Sequence, residues 1–152
     1  MLSALIPTAN SQDDLALLLA ALVPAAVEGL VREVICADAG STDATAALCE
    51  DAGAKLIQGG LAAAAQAARS DWLLILPIDL RLAGGWDNAV AQRLAQRPEP
   101  LKVSGLKTHG LVASLTAAPC GLVVQKARVL ARAETRDAKA LIAALGRGAA
   151  RL

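Results

Sequence analysis

Short apolar runs alternate with longer, Ala-rich stretches over the first hundred residues of the chain. Leu2-Ser3-Ala4-Leu5-Ile6, ended by Pro7, predicts a buried strand. Asn10, Ser11 and Asp13 carry N-cap chemistry for a helix over about residues 12 to 23, which Pro24 closes. Glu33-Val34-Ile35-Cys36-Ala37 predicts a second strand, and Ser41-Thr42 opens a helix that runs to about Ala52 and stops at Gly53. Lys55-Leu56-Ile57 predicts a third strand, and Gly59-Gly60 leads into an Ala-rich helix ending near Arg69. Trp72 to Leu76 is apolar throughout, as in a strand covered on both faces, and Gly84-Gly85 precedes a helix from Trp86 to about Gln96.

Strand and helix thus alternate four times with short links, the pattern of a mostly parallel central sheet with helices on both faces. Ligands of such α/β sheets bind outside the C-terminal ends of the strands. Four segments are therefore searched for chemistry: Pro7 to Asn10, Asp38 to Asp43, Gln58 to Leu61, and Pro77 to Leu82. Beyond Pro98-Glu99-Pro100 the rhythm loosens. Strands are expected at residues 101 to 106, 111 to 115 and 121 to 125, and helices at 127 to 132 and 134 to 145. Gly146-Arg147-Gly148 and Arg151 read as a frayed basic end.

With 152 residues, the chain suits one domain spanning residues 1–152. Its halves are a nucleotide-side part over 1–97 and a less regular part over 98–152. Only 1% of the residues are aromatic while 55% are hydrophobic, so the core is built of Ala, Leu, Val and Ile. The net charge of +1 has no basic block behind it, which argues against nucleic acid as a partner. Cys36, Cys49 and Cys120 have no CxxC spacing, and the first two fall at core positions, as in a cytoplasmic protein with no disulfide frame. No secretory signal precedes the first strand, and the run from Leu15 to Val27 is too short to span a bilayer. Apolar residues surround that first helix, so it is expected to be buried on both sides or to form a subunit interface, the latter implying a homodimer.

Asp38 is the acid that no capping rule requires. Directly after a buried strand, it lies where carboxylates accept hydrogen bonds from a base or ribose. Ser41 and Asp43 read more simply as the start of the next helix. His109, the one histidine, reads as a turn residue, and Trp72 and Trp86 as packing. No GxGxxG follows the first strand, which sets aside a dinucleotide-dependent dehydrogenase.

Three stretches in order resemble the signatures of family 2 glycosyltransferases. Leu5-Ile6-Pro7-Thr8-Ala9-Asn10 is similar to the family's "iPtlNE", and Val34 to Thr45 to its "vvDggStDgT". Ala67 to Leu82 is similar to "aaaGdwllfLDADtrl". The resemblance implies a GT-A-like nucleotide-sugar-binding sandwich that transfers a sugar from a nucleotide-diphospho-sugar to an acceptor, which the sequence does not identify, usually with Mn or Mg. It puts Pro7, Thr8 and Asn10 near the base, Asp38 on the base or ribose, and Asp79 at the last acid of the metal-binding DxD motif. A divalent ion there would stabilise the negative charge growing on the leaving diphosphate.

The departures matter as much. Pro77 replaces the first acid of DxD, and Leu61 to Ala64 bring apolar side chains where relatives often carry Arg and Asn. Ala133 to Asp137 resembles the family's "EDvdl", which would put Thr135, no proton acceptor, at the general-base position and leave Glu134 and Asp137 as candidate catalytic residues to replace it. These substitutions keep open the alternative of a non-catalytic binding or assembly module on the same fold.

Overall fold

The computed structural model describes residues 1–106, 119–132 and 137–152. In chain order the elements are β1 (Leu2–Thr8), α1 (Gln12–Val27), β2 (Val31–Asp38), α2 (Thr45–Asp51), β3 (Lys55–Gln58), α3 (Gly60–Ala67) and β4 (Trp72–Ile75). There follow α4 (Trp86–Gln96), β5 (Leu101–Ser104), β6 (Cys120–Gln125), α5 (Lys126–Leu130), α6 (Ala138–Leu145) and β7 (Ala150–Arg151). The strand expected at 111 to 115, His109, Thr135 and Glu134 lie outside the described residues.

The strands form one sheet in the order β3-β2-β1-β4-β6-β5-β7. β3, β2, β1 and β4 are mutually parallel, as the alternating pattern requires, while β6 runs antiparallel to both β4 and β5. The two-residue period of the strands divides the core. Ala4 and Ile6 of β1 and Leu74 of β4 pack with Leu15, Leu18 and Leu22 of α1 and Val90 of α4. Leu5, Leu73 and Ile75 face the other way, against Leu61, Ala64 and Ala65 of α3 and Leu141, Ile142 and Leu145 of α6. Ala64 and Ala65 are fully buried, and their small side chains let α3 lie close on the sheet.

Four expectations need correction. Pro24 does not close α1, which continues to Val27. A proline this near the C-terminus forfeits only the bond to the carbonyl of Ala20, an exposed residue with water at hand. Nor is α1 buried on both sides: Leu15, Leu18, Leu19, Leu22 and Ala25 form the covered stripe, while Leu17, Val23 and Val27 are exposed. The C-terminal end is not frayed. Ala150 and Arg151 pair with Leu101 and Lys102, and the amide of Leu152 donates to the carbonyl of Lys102 at 3.0 Å. Finally, α2 begins at Thr45 instead of Ser41, because the amides ahead of it are engaged elsewhere, as described below.

Where α2 ends, the expected glycine stop is present. Gly53, at φ +67°, donates to the carbonyl of Glu50 at 3.0 Å, and Ala54 donates to that of Cys49 at 2.8 Å. This pair of bonds is the Schellman motif, which needs a left-handed residue. A Cβ on Gly53 would meet nothing within 4 Å, so the cost of Gly53→Ala is conformational alone. We expect about 1 kcal/mol and a melting temperature lower by about 2–4 °C in a calorimetric scan. An unchanged melting temperature would contradict the left-handed cap.

Candidate functional site

In-register pairing of the parallel strands aligns Thr8 of β1 with Asp38 of β2, and Asp38 with Gln58 of β3. Three polar side chains thereby lie in a row along the C-terminal edge of the sheet. The two outer ones donate to the central carboxylate: Thr8 Oγ1 to Asp38 Oδ1 at 3.1 Å, and Gln58 Nε2 to Asp38 Oδ2 at 2.9 Å. Asp38 Oδ2 also accepts the amides of Gly40 at 3.0 Å and Ser41 at 2.9 Å, and Oδ1 accepts the Ser41 hydroxyl. Gly40 supplies the positive φ, +95°, that bends the chain round the carboxylate.

Asp38 is 2% exposed. Burial alone would raise its pKa, but the bonds from Ser41, Gln58 and Gly40 outweigh that and hold it well below the usual carboxylate range. Its acceptor sites are filled from within the protein. The carboxylate organises the edge more than it offers itself to a ligand.

The loop after β2 is bound to the loop after β1. Asn10, at φ +47°, accepts the amides of Thr42 at 2.8 Å and Asp43 at 3.3 Å on its Oδ1, and its own amide donates to Ser41 Oγ at 2.9 Å. Asp43 then serves two helix starts, accepting the amide of Gln12 at 3.3 Å and that of Thr45 at 3.0 Å. Ser41 is therefore no helix cap. Its hydroxyl links Asp38 to Asn10, and the helix waits until these amides have been used.

A cavity of about 620 Å³ opens at this edge, within the range of small-molecule sites. All four searched segments contribute to its wall. Pro7 and Thr8 come from the first, Asp38 from the second, Gln58 to Leu61 from the third and Ile78 from the fourth. Asn10 is not among the lining residues, because its carboxamide is turned to the neighbouring loop. α3 starts at the cavity with Gly59 as its N-cap, at φ +113°, and no side chain caps it. Its first amides and the positive end of its dipole therefore face the space where an anion would lie. Among the described residues no Lys or Arg lines the cavity.

Asp79 follows Ile78 in the loop after β4. Its carboxylate is paired with Lys139 of α6, Nζ to Oδ2 at 2.7 Å, across 60 residues of sequence. On the other side of the same loop, Arg81 bonds Asp14 of α1 and the carbonyls of Ile78 and Leu80. Among the described residues no three His, Cys, Asp or Glu side chains gather as ligands for a metal. Pro77 brings no oxygen side chain, and the one acid of the motif already holds an ammonium. One carboxylate already paired with an ammonium is a poor protein contribution to a divalent ion, which is usually held by one or two carboxylates and completed by water and phosphate oxygens. Asp137 is the N-cap of α6, where its Oδ1 accepts the amide of Lys139 at 3.1 Å.

The model of the family described as "Glycosyl transferase family 2" matches residues 3–101. The chain belongs to that family. No curated protein matches its sequence significantly. Among solved structures it is similar to glucosyl-3-phosphoglycerate synthase from Mycobacterium tuberculosis in complex with phosphoglyceric acid. Identity there is 18% and the TM-score 0.65, over 84% of this chain and 57% of that one. A second structure of that synthase, with Mn2+, UDP and glucosyl-3-phosphoglycerate, aligns at 21% identity and TM-score 0.55, over 66% of this chain and 42% of that one. Mannosyl-3-phosphoglycerate synthase from Rubrobacter xylanophilus aligns at 17% identity and TM-score 0.60, over 83% and 53%. The family 2 chain thus spans about half the length of these synthases, and they confirm its GT-A-type fold. None of its described helices is long and apolar enough to cross a membrane.

Two residues of the candidate site were not singled out from the sequence, although Gln58 opens one of the searched segments. Gln58 could have been found by counting, since it ends its strand level with Asp38. Lys139 could not, because nothing in its own neighbourhood points to a loop 60 residues away.

Proposed function

We propose that this chain binds a nucleotide-diphospho-sugar in the cavity at the C-terminal edge of the sheet and passes the sugar to an acceptor. The observation that carries the reading is the cavity itself, walled by all four strand-end loops and organised round the buried Asp38. In this reading Pro7 and Thr8 flank the base, with Asn10 holding their loop in place. Asp38 fixes the edge against which base and ribose rest, and the first amides of α3 face the diphosphate. Residues 1–97 form the nucleotide half, in keeping with the family match over 3–101, and residues 98–152 form the acceptor half.

Transfer also needs a base for the acceptor hydroxyl. We assign it to Asp137, with Glu134 as the alternative. α6 brings Asp137 to within two residues of the lysine that touches Asp79. A divalent ion, which the family resemblance implies, would fall at Asp79 and would have to displace Lys139.

A second reading, a binding module without transfer, is favoured by the same Asp79–Lys139 pair and by the capping role of Asp137. Titration with UDP and GDP separates both from a chain that binds no nucleotide. At about 100 times its dissociation constant, a ligand stabilises the fold by about 2.7 kcal/mol. We expect that stabilisation with one of the two nucleotides; its absence with both would end the nucleotide reading. Consumption of the matching nucleotide sugar, lost in Asp137→Asn while binding persists, supports transfer. Binding without consumption selects the module.

A further inference from the structure

We infer that Lys139, held by Asp79, supplies the positive charge that receives the nucleotide's diphosphate, so that this chain binds the nucleotide without a divalent ion. The inference rests on the nucleotide site proposed above. A diphosphate carries several negative charges into a cavity that no Lys or Arg lines among the described residues, beside a carboxylate that is itself ionised. Some cation must approach. Arg81, in the loop after β4, is held by Asp14 of α1 and two backbone carbonyls, which use three of its five donors. Lys139 reaches the same loop from α6, at the residue following the cavity-lining Ile78.

The chemistry of the pair suits the task. An ammonium has three donors, and the bond to Asp79 uses one of them. The Lys139 side chain is 63% exposed, so the other two are open to phosphate oxygens. Asp79 fixes where the charge stands, much as it would fix a metal ion, and the uncapped start of α3, whose Gly59, Gly60 and Leu61 line the cavity, adds amide donors. A divalent ion at Asp79 would have to approach a bound ammonium without a second acid among the described residues to hold it. Lysine and metal are therefore alternatives at this carboxylate, and the lysine is already there.

The test measures UDP, GDP and the two nucleosides by calorimetry in EDTA and again with Mn2+, on wild type, Lys139→Gln and Asp79→Asn. We expect the preferred diphosphate to bind wild type in EDTA with an affinity within about threefold of that in Mn2+. Lys139→Gln should weaken the diphosphate about tenfold, the worth of one charge-assisted contact, and leave the nucleoside unchanged. That split between diphosphate and nucleoside is one a merely structural lysine would not produce. Asp79→Asn, which keeps an oxygen for the ammonium and removes the carboxylate a metal needs, should have the smaller effect. Binding that requires Mn2+, is abolished by Asp79→Asn and ignores Lys139→Gln would overturn the inference while leaving the nucleotide site standing. Absence of binding by every nucleotide and nucleoside, with and without Mn2+, would overturn both.

Discussion

Asp38→Ala is expected to lower stability by about 3 kcal/mol and to abolish nucleotide binding. The carboxylate is 2% exposed and accepts from Thr8, Gly40, Ser41 and Gln58. Its removal leaves two amides, two hydroxyls and a carboxamide without their common acceptor. Each bond to a charged group contributes about 1.5–3 kcal/mol net, but the adjoining cavity admits water to some of the orphaned donors, so the losses do not sum. For a chain of this size, about 3 kcal/mol corresponds to a melting temperature lower by roughly 6–12 °C.

Asp38→Asn should be milder, at about 1–2 kcal/mol. Its NH2 can turn toward the hydroxyls of Thr8 and Ser41, which are able to accept, while its oxygen keeps the amides of Gly40 and Ser41. Thermal denaturation by circular dichroism distinguishes the three proteins. Asp38→Ala melting within 2 °C of wild type, by the same scale, would mean that the carboxylate does not hold the edge together.

The second large effect is acid lability centred on Glu33, at the opposite end of the same strand. Glu33 Oε1 accepts the Ser3 hydroxyl at 2.7 Å and the Arg69 amide at 2.6 Å, and Oε2 accepts Lys55 Nζ at 2.6 Å. Burial pushes its pKa up, but the bonds from Lys55, Arg69 and Ser3 prevail and bring it down to about 2, against 4.5 for an unperturbed glutamate. A carboxyl whose folded pKa is depressed binds fewer protons folded than unfolded. Its stabilisation is present in full above the unfolded value and drains away as pH falls through the folded one. The window is therefore pH 4.5 down to about 2.

We expect stability to fall across that window by about 2–3 kcal/mol from Glu33, a figure discounted for the partly exposed Lys55. Asp38, shifted in the same direction, adds to the loss. Glu33→Gln should lower stability near neutral pH and flatten the acid limb of the profile. Urea unfolding at a series of pH values reads both. Parallel profiles for variant and wild type would show that Glu33 is not the group responsible.

The row Thr8, Asp38, Gln58 shows how far sequence carried and where it stopped. Apolar runs bounded by turn residues fixed β1 to β4 and their parallel pairing, because strand period and crossover handedness are local and chiral properties. They also pointed to the four post-strand segments that the cavity draws on, though not to the order of the strands. What the polar residues do within those loops was not legible. Ser41 has the signature of a helix cap, yet three-dimensional neighbours 31 residues away compete for it and win. Asn10 and Asp43 likewise satisfy partners on each other's loop, a matter of distance in space that no local preference encodes.

Around Asp79, sequence alone determined the family, the GT-A-type sheet and the place of its C-terminal edge, since these follow from periodic patterning and three ordered signatures. Tertiary structure decided the occupant of the carboxylate. The fold brings α6 back over β6 and sets Lys139 against the loop after β4. An ion pair spanning 60 residues depends on how the second half packs, and packing is a property of the assembled core that no single segment of the chain contains.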